Sequence, residues 1–186
     1  MSDNQYIIET DIPSWKDYFL GIAFDVAERS KDANTHHGCV LVDKENHILA
    51  TGYNSFPKGM RDNELPNVRP KPGDEKDIHK CKYLWMKHSE KNALGNCSAD
   101  LLHLDGVTAY VTGKPCYECM SDLWVFNVRT VIYADTYGWQ KDDIEKEQSD
   151  LFLEHTKMNV IAYKPNLNWR KRVDEKLRKL GFITEG

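Results

Sequence analysis

The sequence predicts a layered α/β domain, a sheet with parallel members covered by helices on both faces. Two observations lead there. After an opening hairpin, strand-like runs alternate with helix-like runs to the end of the chain, the order that builds parallel strand pairs. The 186 residues, 40% hydrophobic and 29% charged, are globular rather than disordered and sufficient for one domain with a sizeable core. Residues 1–186 are read as a single domain, with a long loop insertion at about 55–87 and a C-terminal helix at about 166–181.

The first helix is expected from Ser14 to about Arg29, with Ser14 as N-cap. Tyr18, Ile22, Val26 and Arg29 mark one side, with Phe19 and Ala23 beside them. Residues 38–42 and 47–53 read as strands joined by the polar turn Asp43-Lys44-Glu45-Asn46, hence a hairpin. From Asn54 to about Lys82 the chain is rich in Pro, Gly and charge without a sustained period. So long a stretch inside a compact domain is usually functional. Helices opening near His88 and Cys116 flank a strand at 106–112, and 130–134 is the next strand. A charged helix at about 144–157 leads into a strand at 158–163. Asn166 or Asn168 is expected to cap a last helix, Trp169 to Leu180, which Gly181 ends.

Two short motifs carry the chemistry: His88-Ser89-Glu90 and Pro115-Cys116-Tyr117-Glu118-Cys119. His88, Cys116 and Cys119 supply three ligands for Zn²⁺ and leave its fourth tetrahedral position open to water, the catalytic rather than the structural arrangement. Pro115 suits the first position of a helix, with Cys116 just inside it. Cys116 and Cys119 are then i and i+3 on one face, within reach of one metal. A helix N-terminus lowers a thiol pKa and helps keep both as thiolates. His88 and Glu90 are i and i+2 and do not share a helix face. His88 then holds the metal from the helix mouth while Glu90 points into the pocket as the group that moves protons. A CxxC alone is weak, being shared with redox pairs and zinc fingers; the joint pattern H-x-E…P-C-x-x-C is that of the zinc nucleobase deaminases.

The match runs further than the metal motif. It includes Trp15-Lys16-Asp17-Tyr18-Phe19, Ser30-Lys31-Asp32, Gly52-Tyr53-Asn54, Asp62-Asn63-Glu64-Leu65-Pro66, Lys82-Tyr83 and Tyr133-Ala134-Asp135-Thr136-Tyr137. From about Trp15 to Tyr137 the chain resembles the deoxycytidylate (dCMP) deaminases of the cytidine-deaminase superfamily. That resemblance implies a three-layer α/β/α cytidine-deaminase-like fold with a five-stranded mixed sheet and the metal between two helix N-termini. It implies hydrolytic deamination of dCMP to dUMP and ammonia by a zinc-activated water, a supply step for thymidylate. By the same resemblance Asn54 lines the sugar pocket and Tyr137 lies near the nucleotide phosphate; Lys31, basic in an otherwise acidic chain, is read as flanking that pocket. It further implies a homo-oligomer, commonly a hexamer, regulated by dCTP and dTTP. The effector site would lie at residues 59–65, with Gly59, Asp62 and Asn63 as contacts and Mg²⁺ accompanying an activating triphosphate. The chain departs from the usual pattern at Ser55, Asn63, Ser89 and Lys114, and has Thr35-His36-His37-Gly38 in place of Ser-Gln-Val-Gly.

The net charge of −4 disfavours long nucleic acid as substrate. No apolar stretch approaches a membrane span, and five cysteines, an odd count, argue against a disulfide scaffold. A reducing, cytoplasmic setting is expected. His36 and His37 read as exposed loop residues, with a second metal or a phosphate contact as the functional alternative. His79 and Cys81 lack a visible four-ligand set for a structural zinc. Cys39 and Cys97 read as small buried hydrophobes, Phe56 and Trp85 as core or base-stacking groups, and the basic 169–172 run as a solvated helix face. Two other functions compete. A tRNA adenosine or other polynucleotide deaminase would share the zinc site, but the acidic balance opposes it. A non-catalytic nucleotide-binding regulator would have no use for Glu90.

Overall fold

The computed structural model describes residues 12–135 and 143–184. Helix α1 (Trp15–Ala27) leads to the hairpin β1 (Gly38–Val42) and β2 (Ile48–Tyr53). After the insertion come α2 (Ser89–Asn96), β3 (Thr108–Val111), α3 (Tyr117–Val125) and β4 (Thr130–Ala134). Helix α4 (Asp143–Thr156), β5 (Asn159–Tyr163) and α5 (Arg170–Lys179) complete the chain. The five strands form one mixed sheet in the order β2-β1-β3-β4-β5. Strand β1 is antiparallel to both β2 and β3, while β3, β4 and β5 run parallel.

All of β1 is buried, and its period-2 alternation divides the core. Cys39 and Leu41 face Ala93 of α2, Met120 and Leu123 of α3, and partly buried Phe152 and Leu153 of α4. Val40 and Val42 face Phe19, Leu20 and Ala23 of α1. Helices on both faces make three layers. The buried side of α1 is Phe19, Leu20, Ala23 and Ala27, one residue round from the expected Tyr18–Ile22–Val26 stripe, since Tyr18 is 36% exposed. Tyr18 packs instead on Trp169, at 5.9 Å between ring centroids, where the chain turns into α5.

Caps follow the expected chemistry at one end of the chain and depart from it at the other. Ser14 Oγ accepts from the Asp17 N–H, as an N-cap should. Neither Asn166 nor Asn168 caps α5; Trp169 takes that position, and Asn166 Oδ1 accepts from Asn168 N within its own turn. Gly181, at φ +74°, closes α5 as expected, with Phe182 N donating to Leu177 O and Gly181 N to Arg178 O in a Schellman arrangement.

Register gathers the chemistry at one end of the sheet. Gly38 at the start of β1 lies opposite Tyr53 at the end of β2, and Cys39 lies opposite Val111 at the end of β3. The loop before β1 and the segments after β2 and β3 therefore meet outside the carboxyl ends of the parallel strands, the usual place for a ligand in such sheets. The insertion starts and ends there as well. Its base is pinned by a two-bond bridge, Ser55 N to Lys87 O at 3.1 Å and Lys87 N to Ser55 O at 2.8 Å. Within it, regular structure is limited to single 3-10 turns at Asp62–Glu64 and Lys82–Leu84.

Candidate metal centre and substrate pocket

His88 and Cys116 are the N-caps of α2 and α3, both in extended backbone. Their carbonyls accept the first helical bonds, from Asn92 and Met120, yet neither side chain caps its helix. Helix α3 thus starts one residue beyond Cys116, and Pro115 lies outside the helix rather than at its first position. A Ser or Asp cap at either place would add about 1 kcal/mol of stability. Here the cap side chains face each other instead. His88 Nδ1 lies 3.5 Å from Cys116 Sγ and 3.3 Å from Cys119 Sγ, and all three donor atoms fall within 4.8 Å.

That spacing fits zinc. Tetrahedral bonds of about 2.3 Å to sulfur and 2.0 Å to nitrogen separate the two donors by about 3.5 Å. Cys119 is buried and His88 exposed, so the triad opens on one side. A hydrogen bond from the Cys119 thiol, reinforced by His88, holds Cys116 down at about 4, the thiolate form a metal requires. The same bond, with burial, pushes Cys119 far up, and the Cys116 contact raises His88.

Glu90 stands at the second position of α2, 5% exposed, with Ser89 Oγ donating to its Oε2 at 2.9 Å. The approach of β2 to this turn depends on Gly52: a Cβ there would sit 2.2 Å from Ala93 N and 2.4 Å from Ser89 O. Lys91 spans the two ligand helices, 2.8 Å from Glu118 and 3.5 Å from Asp122. Burial alone would lower its ammonium, but those carboxylates outweigh burial and hold it at about 12.

Asn54 is buried and fully engaged as a donor. Its Nδ2 gives hydrogen bonds to Asp32 and Thr35 O, and its Oδ1 accepts from His37 N, leaving one lone pair. Lys31 is exposed on the same loop, and its carbonyl accepts from Asn67. Tyr137 lies outside the described residues. In the insertion, Gly59 has φ +90° and Asn63 is exposed. Met60, Arg61, Glu64 and Leu65 face Ile78, His79 and Trp85 across a cavity of about 420 Å³.

Several groups around the site escaped the sequence reading. Asp32 and Lys82 form a buried ion pair, and Asp32 also accepts from Asn34 N and Thr35 N, shaping the loop that leads to β1. Both lay in recognised segments, but nothing local marks a lysine as buried. His36 is exposed, 4.0 Å from Glu28. His37 is not an exposed loop residue: it is half-buried, with Nδ1 3.2 Å from Thr112 Oγ1. His79 and Cys81 join no second ligand group among the described residues. Phe56 is buried, and Trp85 donates its ring N–H to Ile78 O. Arg170 pairs with Asp25 and donates to Gly21 O, so the basic run is partly tied to α1.

Residues 13–135 match the family described as the cytidine and deoxycytidylate deaminase zinc-binding region. The chain belongs to that family. A probable deoxycytidylate deaminase of Caenorhabditis elegans is 36% identical over 140 residues, 75% of this chain and 65% of that protein. The deoxycytidylate deaminase of Homo sapiens is 35% identical over 128 residues, 68% of each chain. The fold is similar to that of the dCMP deaminase of cyanophage S-TIM5, solved with dCMP and dUMP. The TM-score is 0.59 at 20% identity, over 85% of this chain and 100% of that one. No described helix is long and apolar enough to cross a membrane.

Proposed function

We infer that the protein converts dCMP and water to dUMP and ammonia, supplying dUMP for thymidylate synthesis. The observation that carries this is the buried Glu90 carboxylate, two residues after His88 of a cluster that could hold a metal. A zinc ion bound by His88, Cys116 and Cys119 would make a water at its open position acidic near neutral pH. The remaining chemistry belongs to the protein. Ser89 occupies Oε2 of Glu90, which leaves Oε1 to take the proton of the attacking water. Glu90 delivers that proton to the ring N3, then takes the remaining proton from the hydroxyl added to the ring carbon and passes it to the departing amine, so that it ends ionised as it began.

The relatives' substrate supports dCMP over a nucleoside or a polynucleotide. The sugar is assigned to the remaining lone pair of Asn54 Oδ1, and the phosphate to Lys31 and Tyr137. Binding energy from that unreactive end can hold the ring in attack geometry. The segment 59–65, with Gly59, Asp62 and Asn63, is assigned to a dCTP/dTTP effector site, with Mg²⁺ accompanying the activating triphosphate, in a homo-oligomer. Ammonia release from dCMP, deoxycytidine and a tRNA anticodon stem tests the reading. The expected order is dCMP well above the other two, with ~10²–10⁴-fold loss in Glu90→Gln at unchanged zinc content. Comparable kcat/KM for deoxycytidine and dCMP would reject the monophosphate assignment.

A further inference from the structure

His37 has no part in the metal triad, yet the fold fixes it beside that triad from three directions. Its main chain is clamped by one residue: His37 N donates to Asn54 Oδ1 at 2.8 Å, and Asn54 N donates to His37 O at 3.1 Å. Its ring rests on the segment that runs from β3 to Cys116. Nδ1 lies 3.2 Å from Oγ1 of Thr112, itself 2% exposed and bound by the Gly38 N–H. The next residue is Gly113, where a Cβ would come within 3.1 Å of Cε1 and 3.5 Å of Nδ1. A side chain there would crowd the imidazole, and glycine leaves it room. Burial lowers the ring's basicity, while the charges of Glu90 and His88 both reach it.

Thr112 engages Nδ1, so on this half-buried ring Nε2 is the nitrogen with no hydrogen bond among the described residues. We propose that His37 contacts the nucleotide directly, its Nε2 hydrogen-bonding an oxygen of the sugar–phosphate part and so setting how the base lies over Glu90. The base's reactive edge belongs to Glu90. His37 is instead hydrogen-bonded to Asn54, the residue assigned to the sugar, and follows Lys31, assigned to the phosphate, on a loop shaped by Asp32. A hydrogen bond to an unreactive part of the substrate acts through binding and orientation, and so shows mainly in KM.

The proposal rests on the deaminase reading, and two substitutions separate contact from scaffold. His37→Asn keeps an amide near the Nδ1 position, within reach of Thr112, but ends there; His37→Gln places its amide near Nε2. For the metal-loaded protein, kcat/KM for dCMP should fall about 10-fold in His37→Asn, mostly through KM, the size of one lost hydrogen bond. His37→Gln should recover most of that loss. The penalty should shrink on deoxycytidine if the phosphate is the partner, or on 2′,3′-dideoxycytidine monophosphate if the 3′-hydroxyl is. An equal penalty on all three substrates, no penalty, or no recovery by Gln would overturn the contact. Wild-type protein inactive on all three sinks the deaminase reading instead. Binding of dUMP by calorimetry then still decides His37, because equal affinity of wild type and His37→Asn, including none, overturns it.

Discussion

Lys82 and Asp32 form an ion pair with almost no water around it, their side chains 1% and 6% exposed. Removing one member leaves a buried charge without its partner, at a cost of about 3–5 kcal/mol. The two members are not equivalent. Without Lys82, the Asp32 carboxylate still accepts from Asn34 N at 2.8 Å, Thr35 N at 3.1 Å and Asn54 Nδ2 at 3.1 Å. Without the Asp32 charge, the Lys82 ammonium keeps weaker contacts among the described residues, Asn34 Oδ1 at 3.3 Å and the Tyr83 ring at 5.3 Å. Lys82→Met should therefore sit near the low end, about 3 kcal/mol, and Asp32→Asn near the high end, about 5. At about 2–4 °C per kcal/mol for a chain of this size, Tm falls by roughly 6–12 °C and 10–20 °C. The double variant should be more stable than Asp32→Asn alone, since no lone charge stays buried. Thermal unfolding of the metal-loaded proteins reads all four. A Lys82→Met protein as stable as wild type, or less stable than Asp32→Asn, would refute the reasoning.

Cys116→Ala breaks the three-ligand set and should lose zinc; full occupancy by metal analysis at a normal rate would contradict that. Gly52→Ala forces α2 to move by about 1 Å, a misplacement that costs about 10²-fold in rate, so kcat should drop while zinc content holds. An unchanged kcat would mean that the helix gives way without moving Glu90. His88 and Cys119 are both raised by their contacts with Cys116, so each holds its proton more tightly than usual and a metal must compete with protons for them. Zinc affinity should thus rise with pH and fall on acidification, and a chelator competition showing no pH dependence would refute this. Finally, dCTP and dTTP should move the dCMP saturation curve in opposite directions, and Asp62→Ala should abolish both shifts. A hyperbolic curve indifferent to both triphosphates would leave the insertion without an effector role.

Periodicity made the strands legible almost to the residue, because β1 and β4 are buried on both faces and bounded by polar turns. The helix near Cys116 was misplaced for a chemical reason. Pro and Cys obey local rules for a helix start, but Cys116 stays extended as N-cap with its thiol turned to His88, so the helix begins one residue later. The α1 stripe was misjudged because Tyr18 and Trp169 cover each other outside the sheet, a contact between residues far apart in sequence. The His88–Cys116–Cys119 cluster and the buried Glu90 beside it were legible because the spacing within each motif is local. Asp32–Lys82, Lys91–Glu118 and His37–Thr112 were not, since each joins segments that only the sheet register brings together.

The Ser55–Lys87 bridge separates two kinds of change in this molecule. The segment between them is held at this clasp next to His88 and again where Lys82 meets Asp32 and Asn67 O accepts from Ala33 N, so its length can vary in the exposed stretch near Gly73 without altering where His88 stands. Closure entropy grows slowly, about 0.6 kcal/mol for each doubling of loop length. A peptide tag or a fluorophore placed at the outer turn near Gly73 would therefore tax the fold little, whereas one residue inserted between Lys87 and Glu90 would displace the ligand from its partners. The clasp and the Lys82 pair leave the outer turn open to extension and the three residues after the clasp closed to it.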